Sequence, residues 1–254
     1  MSVRTILFTE GALVDSTYTH VEAWHAAFAE CGIWVPRPAI HRRIGMPGGL
    51  LVFTLFEQYG ADHHDAAGLG AVVRRVTKLQ SRFYVRRAAE LAPIPGAQET
   101  LRDLHRRGYT TVFATATTRE DSRLARAVLS CDDVLDTIIT ADDIDPAEPG
   151  NAFIRAALDR GRLSARNTVV AGSTVWDAAA SVHAGIAPIA VRSSGFSDPD
   201  LFAAGYTHLV DTLGELSALL ESTSFRGEAA LGFGAPTAGL APPATKFSTA
   251  EGRP

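Results

Sequence analysis

Short apolar runs, each bounded by turn residues, recur along the chain. They are compact and do not alternate with polar residues, which is typical of strands buried on both faces of a sheet. The predicted strands are 3–8, 110–115, 136–140, 167–172, 187–191 and 207–210. Between the later runs, apolar residues at helical spacing predict helices at 97–108, 151–161 and 175–185. This alternation predicts an α/β fold with a three-layer, doubly wound parallel sheet of the Rossmann-like kind.

The first predicted strand is followed by a long stretch without a convincing strand. Helices are predicted there at 18–32, 48–60 and 69–91, and the Pro/Gly-rich segment 92–97 then returns to the sheet. We therefore expect an α/β core of residues 1–16 and 92–224, with residues 17–91 inserted as a helical cap. The cap is expected over the carboxyl edge of the sheet, where open α/β folds bind ligands.

The last residues, 225–254, are rich in Gly, Ala and Pro and show no periodicity. This composition predicts a disordered tail. The alternative is that the tail docks on the domain through Phe225, Leu231 and Phe233.

Composition narrows the possible partners and the compartment. The chain has 254 residues and a formal net charge of −4, so nothing favours nucleic acid or an anionic membrane as partner. The two cysteines, Cys31 and Cys131, lie far apart in the sequence, which favours free thiols in a reducing compartment. No run is apolar enough for a membrane helix, and the N-terminus lacks the apolar region of a signal peptide. A cytoplasmic protein is expected.

Five segments, in this order, resemble the haloacid dehalogenase (HAD) superfamily. They are GALVDS (11–16), HRRIGMPGGL (41–50), PIPGA (93–97), GYTTVFATA (108–116) and VVAGSTVWDAAASVHAGI (169–186). The resemblance is to the phosphatase and phosphomutase branch, which has a helical cap after the first strand. It implies a nucleophilic Asp that becomes an aspartyl phosphate, and a second Asp two residues later that acts as acid and base. It also implies a Thr or Ser that binds phosphoryl oxygens, a Lys, and acidic residues that hold Mg²⁺.

The segment TILFTEGALVDS (5–16) keeps the frame of the first motif but not its chemistry. Counting back from Gly11 places Glu10 at the acid and base position and Phe8 at the nucleophile position. Phe8 has no lone pair and can neither attack phosphorus nor bind a metal ion. Thr9 is a candidate ligand-binding residue, but as a nucleophile it would have the wrong spacing to Glu10. The alternative for Glu10 is a solvated loop carboxylate.

The later motifs are altered to different degrees. Thr115, with Ala116 after it, matches the phosphate-binding position, although such a Thr can instead bond to its own turn. Glu148 falls where the resemblance implies Lys, which places negative charge beside an expected phosphate site. Ser173 replaces the first Asp of the fourth motif, and Asp177 keeps the second.

Two further features concern ligands. Asp177 is a candidate metal ligand. Asp177 and Glu10 together supply only two carboxylates, so Mg²⁺ is only weakly indicated. In the cap, the segment 41–49 resembles the part that faces the active site in relatives. We expect Arg43 there as a candidate ligand-binding residue; the alternative is an exposed arginine at a helix end.

Two hypotheses follow from these substitutions. The first is a non-catalytic relative, a pseudoenzyme, that binds a phosphorylated or other anionic small molecule, or else a protein partner that includes a second copy of itself. The second is a divergent phosphatase or phosphomutase acting on a small phosphorylated metabolite. In that enzyme Thr9, Ser173 or Thr174 takes a new role. Glu10 and Asp177 remain beside it as carboxylates.

Overall fold

A computed structural model describes residues 3–60, 66–144 and 152–222 and contains a six-stranded sheet. The strands are β1 Thr5–Thr9, β2 Val14–Asp15, β3 Ala92–Pro93, β4 Thr110–Ala114, β5 Thr137–Ile139, β6 Thr168–Gly172, β7 Pro188–Val191 and β8 His208–Val210. The sheet has the order β5-β4-β1-β6-β7-β8, and every neighbouring pair is parallel. The predicted doubly wound parallel sheet is confirmed.

Helices surround this sheet and form the cap. They are α1 Glu10–Leu13, α2 Thr17–Glu30, α3 Arg37–His41, α4 Gly48–Tyr59, α5 Ala66–Arg86, α6 Ala97–Arg106, α7 Arg119–Leu129, α8 Ala152–Gly161, α9 Val175–His183, α10 Asp198–Ala204 and α11 Leu213–Glu221. Within the described residues no helix is long and apolar enough to cross a membrane.

The alternation of side chains along β1 explains the three layers. Ile6 and Phe8 belong to one apolar cluster with Leu101 of α6 and residues of α7 and α11. Leu7 belongs to a second cluster on the opposite face, with Phe153 of α8 and residues of α9. Because successive side chains of a strand point to opposite faces, both faces of the central strand are covered by helices.

The helices between β2 and β3 have an apolar cluster of their own. It contains Trp24 and Phe28 of α2, Leu51 and Leu55 of α4, and Val76 of α5. The chain enters and leaves this region through β2 and β3, which pair as a short antiparallel ladder. The predicted cap residues therefore pack around a separate apolar cluster, and two adjacent chain segments connect them to the sheet.

The structure differs from the sequence-based expectations at several elements. α1, α3, α7, α10 and α11 were not among the predicted helices, and β1 ends at Thr9 rather than at residue 8. Gly11 lies in the single turn of helix α1 and has no positive φ. Glycine is needed there for space, because a Cβ would lie 2.5 Å from Ser173 Oγ and 3.0 Å from Ser194 Oγ. The predicted tail and Glu148 lie outside the described residues.

Candidate functional site

The carboxyl ends of β1, β4 and β6 bring the predicted site residues together. Thr9 ends β1 and Glu10 begins α1 directly after it, while Thr115 follows β4 and Ser173 follows β6. All four side chains are buried, and Ala116 beside Thr115 is half-buried. Parallel strands place their carboxyl ends at one edge, so residues far apart in the sequence meet there.

Phe8, at the expected nucleophile position, lies inside the sheet. It is fully buried and sits opposite Phe113 of β4 and Ala171 of β6 in the strand register. Its ring belongs to the apolar cluster beneath the sheet edge. A ring in this place fills space in the core and offers no group for covalent chemistry.

Glu10 connects the core to the cap through both of its carboxylate oxygens. Oε1 lies 3.0 Å from His20 Nε2 and accepts a hydrogen bond of 3.3 Å from the Tyr84 hydroxyl. Oε2 accepts a hydrogen bond of 2.8 Å from Thr115 Oγ1 and a longer one of 3.4 Å from Thr117 Oγ1. His20 comes from α2 and Tyr84 from α5, and their rings stack at 4.1 Å. The carboxylate is therefore held by both parts of the molecule rather than solvated.

These partners decide the charge of Glu10. Burial raises its pKa, but the hydrogen bond and charge of His20 and the hydroxyls of Thr115 and Ser16 outweigh burial and lower the pKa to about 2. Burial and the neighbouring Glu10 charge raise the pKa of Tyr84, so its hydroxyl remains a donor. At neutral pH Glu10 is a buried carboxylate, and side chains of the protein itself donate the hydrogen bonds that it accepts.

The Asp177 side chain helps to cap the N-terminus of helix α9. Its Oδ2 accepts hydrogen bonds from the backbone N–H of Ser173 at 2.9 Å and of Thr174 at 3.0 Å. Thr174 Oγ1 accepts in return from the Asp177 N–H, which completes a capping box. The Thr9 hydroxyl donates a third bond of 3.0 Å to the same oxygen. Burial raises the pKa of Asp177, opposed by these donors.

Ser173, which stands where a metal-binding Asp is expected, belongs to a chain of buried hydroxyls. Its Oγ accepts a hydrogen bond of 2.8 Å from Ser194 Oγ, which also lies 2.8 Å from Thr17 Oγ1. Thr17 is the first residue of α2, so this chain is a second link between core and cap. The hydroxyls of Thr9, Thr115 and Ser173 all make hydrogen bonds with protein side chains.

Comparison with known proteins identifies the family. A model described as haloacid dehalogenase-like hydrolase matches residues 10–185, more than half of the chain. The chain belongs to the HAD superfamily. Among curated HAD relatives, a protein of Rhodospirillum rubrum named phosphoglycolate phosphatase is 26% identical over 85% of this chain and 90% of its own length.

Solved structures agree with the HAD fold. A hydrolase from Pseudomonas syringae superposes with a TM-score of 0.77 at 25% identity, covering 85% of this chain and 96% of that one. A structure described as a putative beta-phosphoglucomutase from Bacteroides vulgatus has a TM-score of 0.71 at 20% identity and covers 85% of this chain and 87% of that one. The second likeness concerns the fold alone.

The described residues at the HAD strand ends do not form a site that fits Mg²⁺. A hard divalent cation takes several oxygen ligands, carboxylates among them. The described ranges contain no group of three or more His, Cys, Asp or Glu side chains placed to hold a metal ion. Asp177 already uses one oxygen for three protein donors, and Ser173 offers a hydroxyl in place of a carboxylate.

The HAD cap segment that begins at the last residue of α3 contacts the core, but not through Arg43. The Arg43 guanidinium donates to Thr54 Oγ1, Gln58 Oε1 and the Ala39 carbonyl, which are all cap groups. The neighbours of Arg43 make the contacts with the core. His41 Nε2 lies 2.7 Å from the Ser194 carbonyl oxygen, and Trp176 Nε1 donates to the Arg42 carbonyl at 2.9 Å.

Two residues at the centre of the site, His20 and Tyr84, were not predicted from the sequence. His20 lies ten positions from Glu10 and Tyr84 lies 74 positions away. Both lie on the inward faces of cap helices. This position on the helix was the one feature of the sequence that could have indicated them. Their polar atoms meet Glu10 only because the cap folds over the HAD core.

Proposed function

We propose that this chain is a non-catalytic member of the HAD superfamily that acts by binding rather than by phosphoryl transfer. The observation that carries the proposal is the fully buried Phe8 ring at the position of the nucleophile. The aspartyl-phosphate mechanism needs a carboxylate that is free to attack phosphorus. The nearest carboxylate along the chain, Glu10, is fully engaged with His20, Tyr84 and Thr115.

Charge at the sheet edge supports a protein partner over a phosphorylated small molecule. The Thr115 hydroxyl, which the phosphate-binding role requires, already donates to Glu10 at 2.8 Å, so a phosphate group placed beside Thr115 meets a carboxylate. The chain has two lysines: Lys78 is exposed on α5, and Lys246 lies beyond the described residues. The lysine implied for a phosphate site therefore has no candidate among the described residues at this edge. Both cysteines are free, and a reducing compartment, the cytoplasm, is the proposed location.

The experiment is a phosphatase assay of the purified protein with an aryl phosphate and phosphoglycolate, with and without Mg²⁺. Glu10→Gln and Asp177→Asn variants serve as matched controls for contaminating activity. The proposal expects the same background rate in all three proteins. Mg²⁺-dependent turnover that disappears in both variants would overturn it.

A second candidate function is a divergent phosphatase. It is favoured by the Rhodospirillum rubrum relative, whose name is phosphoglycolate phosphatase and which aligns with most of this chain. Binding of a phosphate compound without turnover is a separate outcome, which a ligand-induced rise in melting temperature detects. Such a rise would favour a small-molecule ligand over a protein partner.

A further inference from the structure

Every charged residue on the solvent face of cap helix α5 is a cation, and this face also carries the uncharged Ala71 and Val85. Arg74, Arg75, Lys78, Arg82 and Arg86 are all exposed, and we call these five residues the basic row. At 3.6 residues per turn they fall within about 120° of arc and extend about 18 Å along the helix. Helix α5 contains no Asp or Glu along its whole length.

The opposite face of α5 packs against the rest of the cap. Val76, Gln80 and Tyr84 follow one another at every fourth position and are buried. Tyr84 donates to Glu10 and thereby fixes the helix to the core. The basic row is therefore held outward, and it cannot turn to find partners within the cap.

The basic row differs from the other charged surfaces of the molecule. Helix α6 mixes Glu99 and Asp103 with its arginines, and in α7 Arg126 pairs with Asp132. Across residues 3–60, 66–144 and 152–222, none of the five row residues makes an ion pair. Like charges at positions three and four apart repel one another and weaken an isolated helix. A row of one sign on a chain whose net charge is −4 is not explained by solubility alone.

We propose that the basic row is the docking surface for an acidic segment of a protein partner, with carboxylates repeated about every 6 Å, as on one face of a helix with Glu at every fourth position. Four of the five cations are arginines, whose planar guanidinium groups pair with carboxylates through two hydrogen bonds. This inference names the partner surface for the proposed binding function and rests on that function only in taking the partner to be a protein.

Two other polyanions fit this surface less well. A membrane-surface helix needs large apolar residues beside its cations, and in the described part of α5 Val85 is the one large apolar residue that is exposed. Duplex nucleic acid is a long polyanion, and the net charge of −4 of the whole chain, which already includes the basic row, disfavours its binding. A short acidic segment contacts only the basic row.

The test measures binding of a fluorescein-labelled peptide with Glu at every fourth position, by fluorescence anisotropy at low and physiological salt. The row variant is Arg74→Gln, Lys78→Gln and Arg82→Gln. The control variant, Arg102→Gln, Arg106→Gln and Arg155→Gln, changes net charge equally on exposed helix positions of the core. Circular dichroism and melting temperature verify that both variants are folded.

We expect the wild-type chain to bind the peptide in a salt-dependent way, the row variant to bind about tenfold more weakly or worse, and the control to stay within about twofold. Absence of binding at low salt, or equal losses in both variants, would overturn the inference. Stronger row-dependent binding of duplex DNA or of phosphatidylserine vesicles would overturn it in favour of that partner. Phosphatase turnover in the same samples would count against the proposed function and leave the binding result standing.

Discussion

Replacing Glu10 with glutamine tests whether the carboxylate after β1 is a structural link between core and cap. The substitution keeps the size of the side chain and one carbonyl oxygen. It removes the negative charge of the carboxylate, which accepts hydrogen bonds from His20, Tyr84 and Thr115. We expect the substitution to lower the stability of the fold rather than to change any activity.

The size of the effect follows from the pKa of Glu10. Its contacts lower the pKa from the ordinary 4.5 to about 2. A difference of this size corresponds to about 3 kcal/mol of folding free energy at neutral pH. Because the folded pKa is the lower one, the unfolded chain binds the extra proton between these values. The stabilisation is complete above about pH 5 and is lost as the pH falls toward 2.

The assay is urea denaturation followed by circular dichroism, at several pH values from 7 down to 3, on wild type and Glu10→Gln. We expect a loss of about 3 kcal/mol at pH 7 that shrinks as the pH falls. Glu22→Gln is the matched control: it breaks the exposed pair of Glu22 with Arg37, worth less than about 1 kcal/mol. A loss below about 1 kcal/mol for Glu10→Gln, or a loss that does not change with pH, would refute the reasoning.

Three further substitutions test the packing of the site by the same denaturation measurement. Phe8→Asp places an unpaired carboxylate in the core and should cost more than about 4 kcal/mol, whereas Phe8→Leu should cost far less; a soluble, stable Phe8→Asp protein would contradict this. Asp177→Ala leaves the N–H groups at the start of α9 without an acceptor and should cost about 2 kcal/mol; a neutral result would show that Asp177 does not cap the helix. Gly11→Ala brings a methyl group against Ser173 Oγ and should cost about 1 to 3 kcal/mol; an unchanged midpoint would show that the close approach is relieved without strain.

Local patterns were sufficient for the sheet and most helices. The apolar run of β1 differs from its prediction by two residues at the start and one at the end, and β4 ends one residue before the end of the predicted strand 110–115. The pattern of apolar residues in a buried strand or an amphipathic helix shows which of its faces are buried. Such elements can therefore be predicted without knowledge of the rest of the fold. Helix α7 was not predicted because five of its eleven residues, REDSRLARAVL, are charged. The periodicity of its few apolar residues is therefore hard to detect in the sequence.

Long-range contacts explain what the sequence left open. Whether Glu10 is solvated or buried depends on Tyr84, 74 positions away, and nothing near Glu10 reveals that partner. The requirement for glycine at position 11 comes from Ser173 and Ser194, which approach only in the folded chain. Arg43 lies in the segment expected to face the site, but its guanidinium turns toward Thr54 and Gln58 in α4.

The most direct test of the central claim is a search for the covalent phosphoenzyme. The purified protein is incubated with phosphoglycolate or an aryl phosphate and Mg²⁺, quenched in acid, and analysed by intact-protein mass spectrometry. With Phe8 at the nucleophile position and Glu10 held by three side chains, the account predicts only the unmodified mass. A phosphoryl adduct on a carboxylate at the carboxyl ends of β1, β4 or β6, Glu10 above all, would contradict it.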